Sequence, residues 1–417
     1  MVVNRNGLTR FKYYLKIRVE IISLIVIFLS VIGYFVWLIA FPLFGPILDS
    51  YLSELKTLAI EKARVVQSFL ISMFVSSLLC GYFIDRLKKR LIFIWSSSVI
   101  VSTLTFAFLW LDKMSEVFLF SSLLGIGAGI GPAAWGGFFT DKTSPEDRGR
   151  VMGLSLGLSM FIAYLFFILK PLEKSKTGLM IIGLLYLLTL ITILLKPKDE
   201  TLETLTSKRG KGAGAKQIIL YASPIFLFYL VAGILLSIVF PTIQDHVRSE
   251  IFFLIWAIPF MFGAILAGIL FDTMGRNFPA IVGLAVTGIS LAAFGIFGIR
   301  VGYVFIIPLA IGFSFFMVLS LIVWADLAPA NSRGLYFGVG SGLMVSAMLV
   351  GLLSVGSIFG SVSASQIKGY ILFSSVALFL CIPPLIVVEE ALPKELIEKR
   401  RFQEYLEQAR RRYIDKD

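Results

Sequence analysis

Gly81-Tyr-Phe-Ile-Asp85-Arg86-Leu-Lys88-Lys89-Arg90 and Gly268-Ile-Leu-Phe-Asp272-Thr-Met-Gly275-Arg276-Asn277 are two copies of one pattern, G-x-x-x-D followed by basic residues. They stand 187 residues apart, each at the end of a long apolar stretch. A second pair keeps nearly the same shift: Asp141-Lys-Thr-Ser-Pro145-Glu-Asp-Arg148-Gly149 and Asp326-Leu-Ala-Pro329-Ala-Asn-Ser-Arg333-Gly334, with Asp and Arg seven apart in both and a shift of 185. Gly125 and Gly312 form a weaker pair at 187. Phe41-Pro42 and Phe240-Pro241 are related by 199, so the first half carries about a dozen extra residues after its first apolar stretch. One G-x-x-x-D match carries little information. Two different motifs duplicated at nearly one shift read as an internal repeat of the whole chain.

The medium for this repeat follows from composition. The 417 residues are 58% hydrophobic and 15% charged, against about 25% charged in soluble domains. Mean hydropathy is +0.90. About twenty apolar residues cross the hydrocarbon core as a helix, and twelve such spans are read: 20–44, 64–84, 91–111, 116–140, 151–170, 177–196, 217–241, 251–271, 278–299, 301–325, 335–358 and 367–388. One soluble core could not bury them all, because cores stop growing at about 250–300 residues. The first span is too long for a signal-peptide h-region and reads as retained. Cys80 and Cys381 lie far apart inside apolar runs and His246 is the only histidine, so neither a disulfide framework nor a metal site is expected.

The net charge of +12 is explained by topology. One side, with the N-terminus, the loops after spans 2, 4, 6, 8 and 10 and the tail, holds 28 of the 38 Lys and Arg residues. The positive-inside rule places that basic side, and both termini, in the cytoplasm. No basic-aromatic module accompanies the charge, which argues against nucleic acid. The expected organisation is a six-helix bundle over 1–196, a cytoplasmic linker over 197–216, a second six-helix bundle over 217–388 and a tail over 389–417. The tail's acids offset its bases, so it reads as a solvated segment, with contact to anionic lipid as the alternative.

In G-x-x-x-D, glycine and aspartate share one helical face. Gly81 and Gly268 let another helix pass close. Asp85 and Asp272 then lie at the membrane edge, where a carboxylate stabilises the positive N-terminal end of a helix. Helices begin on that side after Arg148-Gly149 and after Arg333-Gly334. Crossing between halves, Asp85 is expected to meet the start of span 11 and Asp272 the start of span 5. Such contacts would hold the cytoplasmic side shut and release when it opens. Substituting Asp85 by Asn is expected to slow conformational exchange more than it weakens substrate binding. The plainer reading of the first loop, a topology signal, needs neither glycine nor aspartate and does not explain the second copy.

These loops resemble the signature after helices 2 and 8 of the major facilitator superfamily, G-x-x-x-D-R-x-G-R-R/K. Gly81, Asp85, Arg86 and Arg90 match the first copy, with Lys88 at its second glycine and Lys89 for arginine. Gly268, Asp272, Gly275 and Arg276 match the second, with Thr273 and Asn277 at two basic positions. The resemblance covers essentially the whole chain. It implies an all-α membrane protein of twelve transmembrane helices in two pseudo-symmetric six-helix bundles. It also implies alternating access around a cavity lined mainly by helices 1, 4, 7 and 10. Ser121 stands where many proton-coupled members carry an arginine in helix 4. Span 5 has Gly153 and Gly157 but no following proline, and Gly131-Pro132 falls in span 4, so the drug-antiporter subgroup is not supported.

No charge lies mid-span; the edge candidates are Asp49, Lys170, Asp245 and His246. Polar, aromatic and glycine candidates for the cavity are Tyr34, Gln67, Gly125, Gly127, Tyr164, Tyr229 and Ser314. A low-charge cavity favours a neutral or amphipathic organic solute over a multiply charged one. The expected function is therefore a secondary transporter, not an enzyme, because no catalytic constellation lies at membrane depth. A lipid or lysolipid transporter of the same fold and a non-transporting sensor are the alternatives. No cofactor is expected. The expected partners are a small-molecule or lipid-like substrate and membrane lipids, with a coupling ion left open and the chain read as a monomer.

Overall fold

The computed structural model of the chain describes residues 19–43, 46–57, 59–168, 175–195, 197, 213–239, 249–298, 303–354 and 364–392. In these residues the backbone forms helices joined by turns. In hydrocarbon every peptide group must find its partner within its own segment, and a helix achieves that.

Twelve long helices follow in order: α1 (Ile21–Ala40), α2 (Ala59–Leu87), α3 (Arg90–Ala107), α4 (Met114–Lys142), α5 (Arg148–Ile168), α6 (Ser175–Leu187), α7 (Ala215–Ile234), α8 (Ser249–Met274), α9 (Asn277–Phe297), α10 (Ile306–Leu327), α11 (Arg333–Ser354) and α12 (Ala364–Leu380). The last turns of α6 tighten to a 3-10 helix through Ile193, α7 widens into π turns through Val239, and α12 continues past Cys381 to Val387. Eleven of the twelve are long and apolar enough to cross a bilayer. The other, α5, has 21 residues, begins with Arg148 and Arg150, and packs between α1 and α8. A short helix of nine residues, Pro46–Glu54, follows α1 where the first half carries its extra residues. The Tyr51 hydroxyl ties it to the α3–α4 turn by donating to the Leu111 carbonyl at 2.7 Å.

Packing repeats with the sequence. In the first six helices α2 lies on α4, α4 on α3, α1 on α5, and α6 on α1 and α3; six helices later α8 lies on α10, α10 on α9, α7 on α11, and α12 on α7 and α9. The two bundles meet along two equivalent seams, α2 with α11 and α5 with α8, and two equivalent crossings, α4 with α11 and α10 with α5. The seams need glycine. A Cβ on Gly81 would sit 2.7 Å from the Gly334 carbonyl oxygen, and one on Gly268 would collide with that of Gly149. Backbone therefore touches backbone at the level of the duplicated motifs, and dispersion between such close helices replaces the hydrophobic drive that lipid removes.

Candidate functional site

At the basic ends of both seams a carboxylate from one bundle caps a helix of the other. Asp85 at the end of α2 accepts from the Gly334 and Leu335 amides at 2.8 and 2.6 Å, at the start of α11. Asp272 at the end of α8 accepts from the Gly149 and Arg150 amides at 2.8 and 2.9 Å, at the start of α5. The first amides of a helix have no internal partner and carry the positive end of its dipole, so an aspartate there satisfies two donors and a partial charge together.

Each cap belongs to a neutral ring of two acids and two arginines. Around Asp85, Arg90 reaches Asp85 at 3.5 Å and Asp141 at 2.8 Å, and Asp141 receives Arg333 from the other bundle. Around Asp272, Arg276 reaches Asp272 at 3.0 Å and Asp326 at 2.7 Å, and Asp326 receives Arg148 from the other bundle at 2.8 Å. Eight residues named from the repeat thus fall into two matching clasps. Arg86 lies outside both: it is exposed and has no ion pair among the described residues.

The second clasp carries additions that the sequence did not reveal. Arg150 bonds Asp272 at 3.1 Å and Asp147 at 2.5 Å. The fully buried Arg276 also donates to the Phe271 and Pro145 carbonyls at 2.8 and 2.7 Å. Burial alone would lower the Arg276 pKa, but Asp326 and Asp272 hold it above its ordinary value, so its charge is permanent. Glu390, expected in a solvated tail, instead caps the start of α9 by accepting from the Arg276 and Asn277 amides at 2.7 and 3.1 Å. Tyr221 and Asn277 fasten the same stretch, through the Ala391 amide at 3.1 Å and the Val388 carbonyl at 3.0 Å. Only residues 389–392 of that tail are described.

An aromatic layer lies on the membrane side of the first clasp. Phe337 of α11 packs edge-on to Trp135 and Phe139 of α4, with ring centres 5.9 and 6.5 Å apart. Gly136 leaves room for the Phe337 ring, since a Cβ there would overlap it. The bundles are therefore joined at this end by an ionic tier and an apolar tier.

The family model of the Major Facilitator Superfamily matches residues 23–339. The chain belongs to the Major Facilitator Superfamily. Members are transporters, not enzymes. Two solved structures share the fold. The human organic anion transporter MFSD10 (TETRAN) matches at 14% identity with a TM-score of 0.69, over 87% of this chain and 99% of that one. The proton:xylose symporter XylE, solved with 6-bromo-6-deoxy-D-glucose, matches at 13% identity and 0.70, over 90% and 98%. No curated protein sequence matches the chain.

Within this superfamily fold the cavity candidates separate. Tyr34 is buried against its own bundle, with Trp135, Tyr186 and Trp37 ring centres 6.1 to 6.4 Å away. Gly125 lies against the Phe69 carbonyl of α2 and Gly127 against Ile100 of α3, both inside one bundle. Their backbone serves helix packing, and their carbonyls accept from Ser76 and Ser97 at 3.3 and 3.0 Å. Ser314 fills the space over Gly263 of α8 and donates to the Ile311 carbonyl at 2.7 Å. Tyr229 meets the Ser320 hydroxyl at 3.0 Å. Gln67 is partly buried and Tyr164 buried. Asp49, in the short helix after α1, is exposed and paired with Lys62 at 2.6 Å. Lys170, Asp245 and His246 lie outside the described residues.

Proposed function

We propose that this superfamily member moves a small organic, neutral or amphipathic solute by alternating access. In this reading the two clasps form the gate of the basic side, which faces the cytoplasm together with both termini. One observation carries the substrate class. Among the described residues, every buried charged side chain belongs to a clasp: Arg90, Asp141, Asp147, Arg148, Arg150, Asp272 and Arg276. All have opposite charges beside them, so among the described residues no buried charge is left free to neutralise a charged solute. An intramembrane charge would ordinarily mark an ion or proton path. The mid-depth helices offer the Gln67 amide and the Tyr164 and Tyr229 phenols instead.

The clasps suit a gate because they are made of contacts between bundles. Opening the basic side must strip two helix N-termini of their carboxylates and part Arg333 from Asp141 and Arg148 from Asp326. A substrate bound more tightly by one state shifts the balance by its differential affinity.

The test uses the purified full chain. A panel of neutral, amphipathic and anionic metabolites is screened for thermal stabilisation, where a ligand at a hundred times its Kd contributes about 2.7 kcal/mol. Hits are then followed as flux into sealed vesicles with and without a proton gradient. Neutral or amphipathic hits that are carried across support the reading. Hits confined to multiply charged anions overturn the substrate class, and binding without flux moves a sensor to the front.

A further inference from the structure

Ring donors buried in this chain generally find a partner. Trp37 donates to Thr105 Oγ1 at 3.0 Å and Trp95 to Thr192 Oγ1 at 2.9 Å. The Tyr186 and Tyr229 hydroxyls meet those of Ser97 and Ser320 at 3.3 and 3.0 Å. Among the described residues three buried ring donors have no hydrogen-bond partner: Tyr34 Oη, Trp135 Nε1 and Trp324 Nε1. A donor buried without a partner weakens the fold by its lost hydration, so each one calls for a physical reason.

Trp324 differs from the other two. Its Nε1 faces Gly340 of α11, within one bundle, so its cover stays in place when the bundles part. Tyr34 and Trp135 are neighbours, with ring centres 6.1 Å apart. Phe35 stands beside both, at 5.4 and 6.1 Å, and a Cβ on Gly131 of α4 would lie 3.1 Å from the Tyr34 ring. These walls belong to the first bundle. The ring of Phe337, 5.9 Å from Trp135, comes from α11 of the second bundle. Trp135 is six positions before Asp141 on α4, about 9 Å along the helix from the first clasp. In the gate reading, opening the basic side carries α11 away from α4, and Phe337 goes with the Gly334 and Leu335 amides that Asp85 releases.

We infer that Tyr34 and Trp135 form a solute subsite, in which their ring donors pair with a carbonyl or ether oxygen of the solute and a flat apolar part of it replaces Phe337 on Trp135. The inference rests on the transport reading and narrows its substrate class. An indole N–H can only donate, so only an acceptor relieves it, and a solute whose polar groups are all donors leaves it stranded. A ring or other flat face recovers the edge or stacking contact that Phe337 gives up. The desolvation of both donors falls on the closed state and is relieved on binding, so the solute favours the state open to the basic side.

The purified full chain is tested with uncharged pairs of similar shape, benzophenone with diphenylmethane and 2-acetylnaphthalene with 2-ethylnaphthalene, binding being read from the concentration dependence of Tm. Each ketone is expected to bind about ten-fold or more tightly than its hydrocarbon, because a site built to hydrogen-bond an oxygen disfavours the analogue that lacks it. Trp135→Phe and Tyr34→Phe keep a ring and remove one donor each. Each should abolish most of the ketone preference and leave the ligand-free Tm unchanged or raised. Trp37→Phe is the control: it breaks the bond to Thr105, so Tm should fall while the preference stays. Equal binding within both pairs, or binding of neither ketone, overturns the acceptor class. A preference kept by both donor variants, or lost equally in the control, overturns the site. A fall in ligand-free Tm in both donor variants would show that the donors are satisfied in the closed protein and overturn it too. Vesicle flux separates this inference from the reading beneath it. Ketone-selective binding without flux sinks transport and keeps the subsite, whereas flux indifferent to both variants keeps transport and sinks the subsite.

Discussion

The clasp on α2 and the clasp on α8 each join two aspartates and two arginines by the same connections, yet they differ in how far water reaches them. Asp272 and Arg276 side chains are 0% exposed, whereas Asp85 and Arg90 are each 9% exposed and Arg333 is 13% exposed. The second clasp adds Arg150, Asp147 and Glu390, where the first offers Leu335 and Ser332 at the positions matching Arg150 and Asp147. Screening by water weakens an ion pair, while removing one partner of a dry pair strands a charge. Duplication thus supplied one clasp design twice, and local burial makes the α8 copy the drier of the two.

The sharpest way to break that contrast is to neutralise the capping aspartates. Asp272→Asn leaves Arg276 and Arg150 facing an uncharged amide in a dry site and should cost about 3–5 kcal/mol. Asp85→Asn keeps one acceptor for α11 at a wetter site and should cost about 1–2 kcal/mol. Thermal unfolding followed by tryptophan fluorescence gives the order. Equal falls in Tm would show that burial does not distinguish the clasps.

The bonds between bundles allow a finer comparison. Double-mutant cycles on Arg148 with Asp326, and on Arg333 with Asp141, measure coupling free of single-site losses. The first pair is expected to couple by about 2 kcal/mol and to be insensitive to salt. The second should couple by about 1 kcal/mol or less and weaken as salt rises. A salt-insensitive Arg333 pair stronger than the Arg148 pair would show that the drier clasp is not the stronger one.

Glu390 is an addition peculiar to the second clasp. Replacing it by Gln removes a charged acceptor from the Arg276 and Asn277 amides and should cost about 1 kcal/mol. Amide hydrogen exchange in the first turn of α9 should quicken, while the first turn of α3 keeps its rate. Unchanged exchange in α9 would mean that Glu390 adds nothing to the hold on Arg276.

The legible part of this design was the part written at short range. G-x-x-x-D puts two residues on one helical face, and Asp141 and Arg148 stand seven positions apart across a turn, so spacing and duplication alone paired the elements that meet. The additions depend on distant chain. Glu390 matters because the segment after α12 folds back onto α9, and charge balance made that segment look solvated. Arg276 resembled a loop cation until Asp326 and the Pro145 carbonyl enclosed it. The cavity residues were hardest to place, because α4, α5 and α10 are apolar around their whole circumference and carry no stripe to fix their rotation. Gly125, Gly127 and Ser314 were therefore readable by depth and not by direction, and they lie in seams between helices.

The smallest effect tests the comparison at one backbone torsion. Lys88 and Gly275 occupy matching positions with φ of +54° and +97°. A side chain in this region is destabilised by about 1–2 kcal/mol, and glycine is free of that term although its unfolded chain is more flexible. Lys88→Gly should therefore stabilise the protein by about 0.5–1 kcal/mol, read as a small rise in Tm. The reverse change is not its mirror image. A Cβ at Gly275 would lie 2.7 Å from a Glu390 carboxylate oxygen, so Gly275→Ala should lose stability through both the torsion and the displaced cap. Combining Gly275→Ala with Glu390→Ala separates the two: the torsional part persists and the contact part disappears. If Lys88→Gly lowers Tm instead, the lysine contributes more to the folded protein than its backbone costs. The two turns would then differ by a stabilising contact and not by strain.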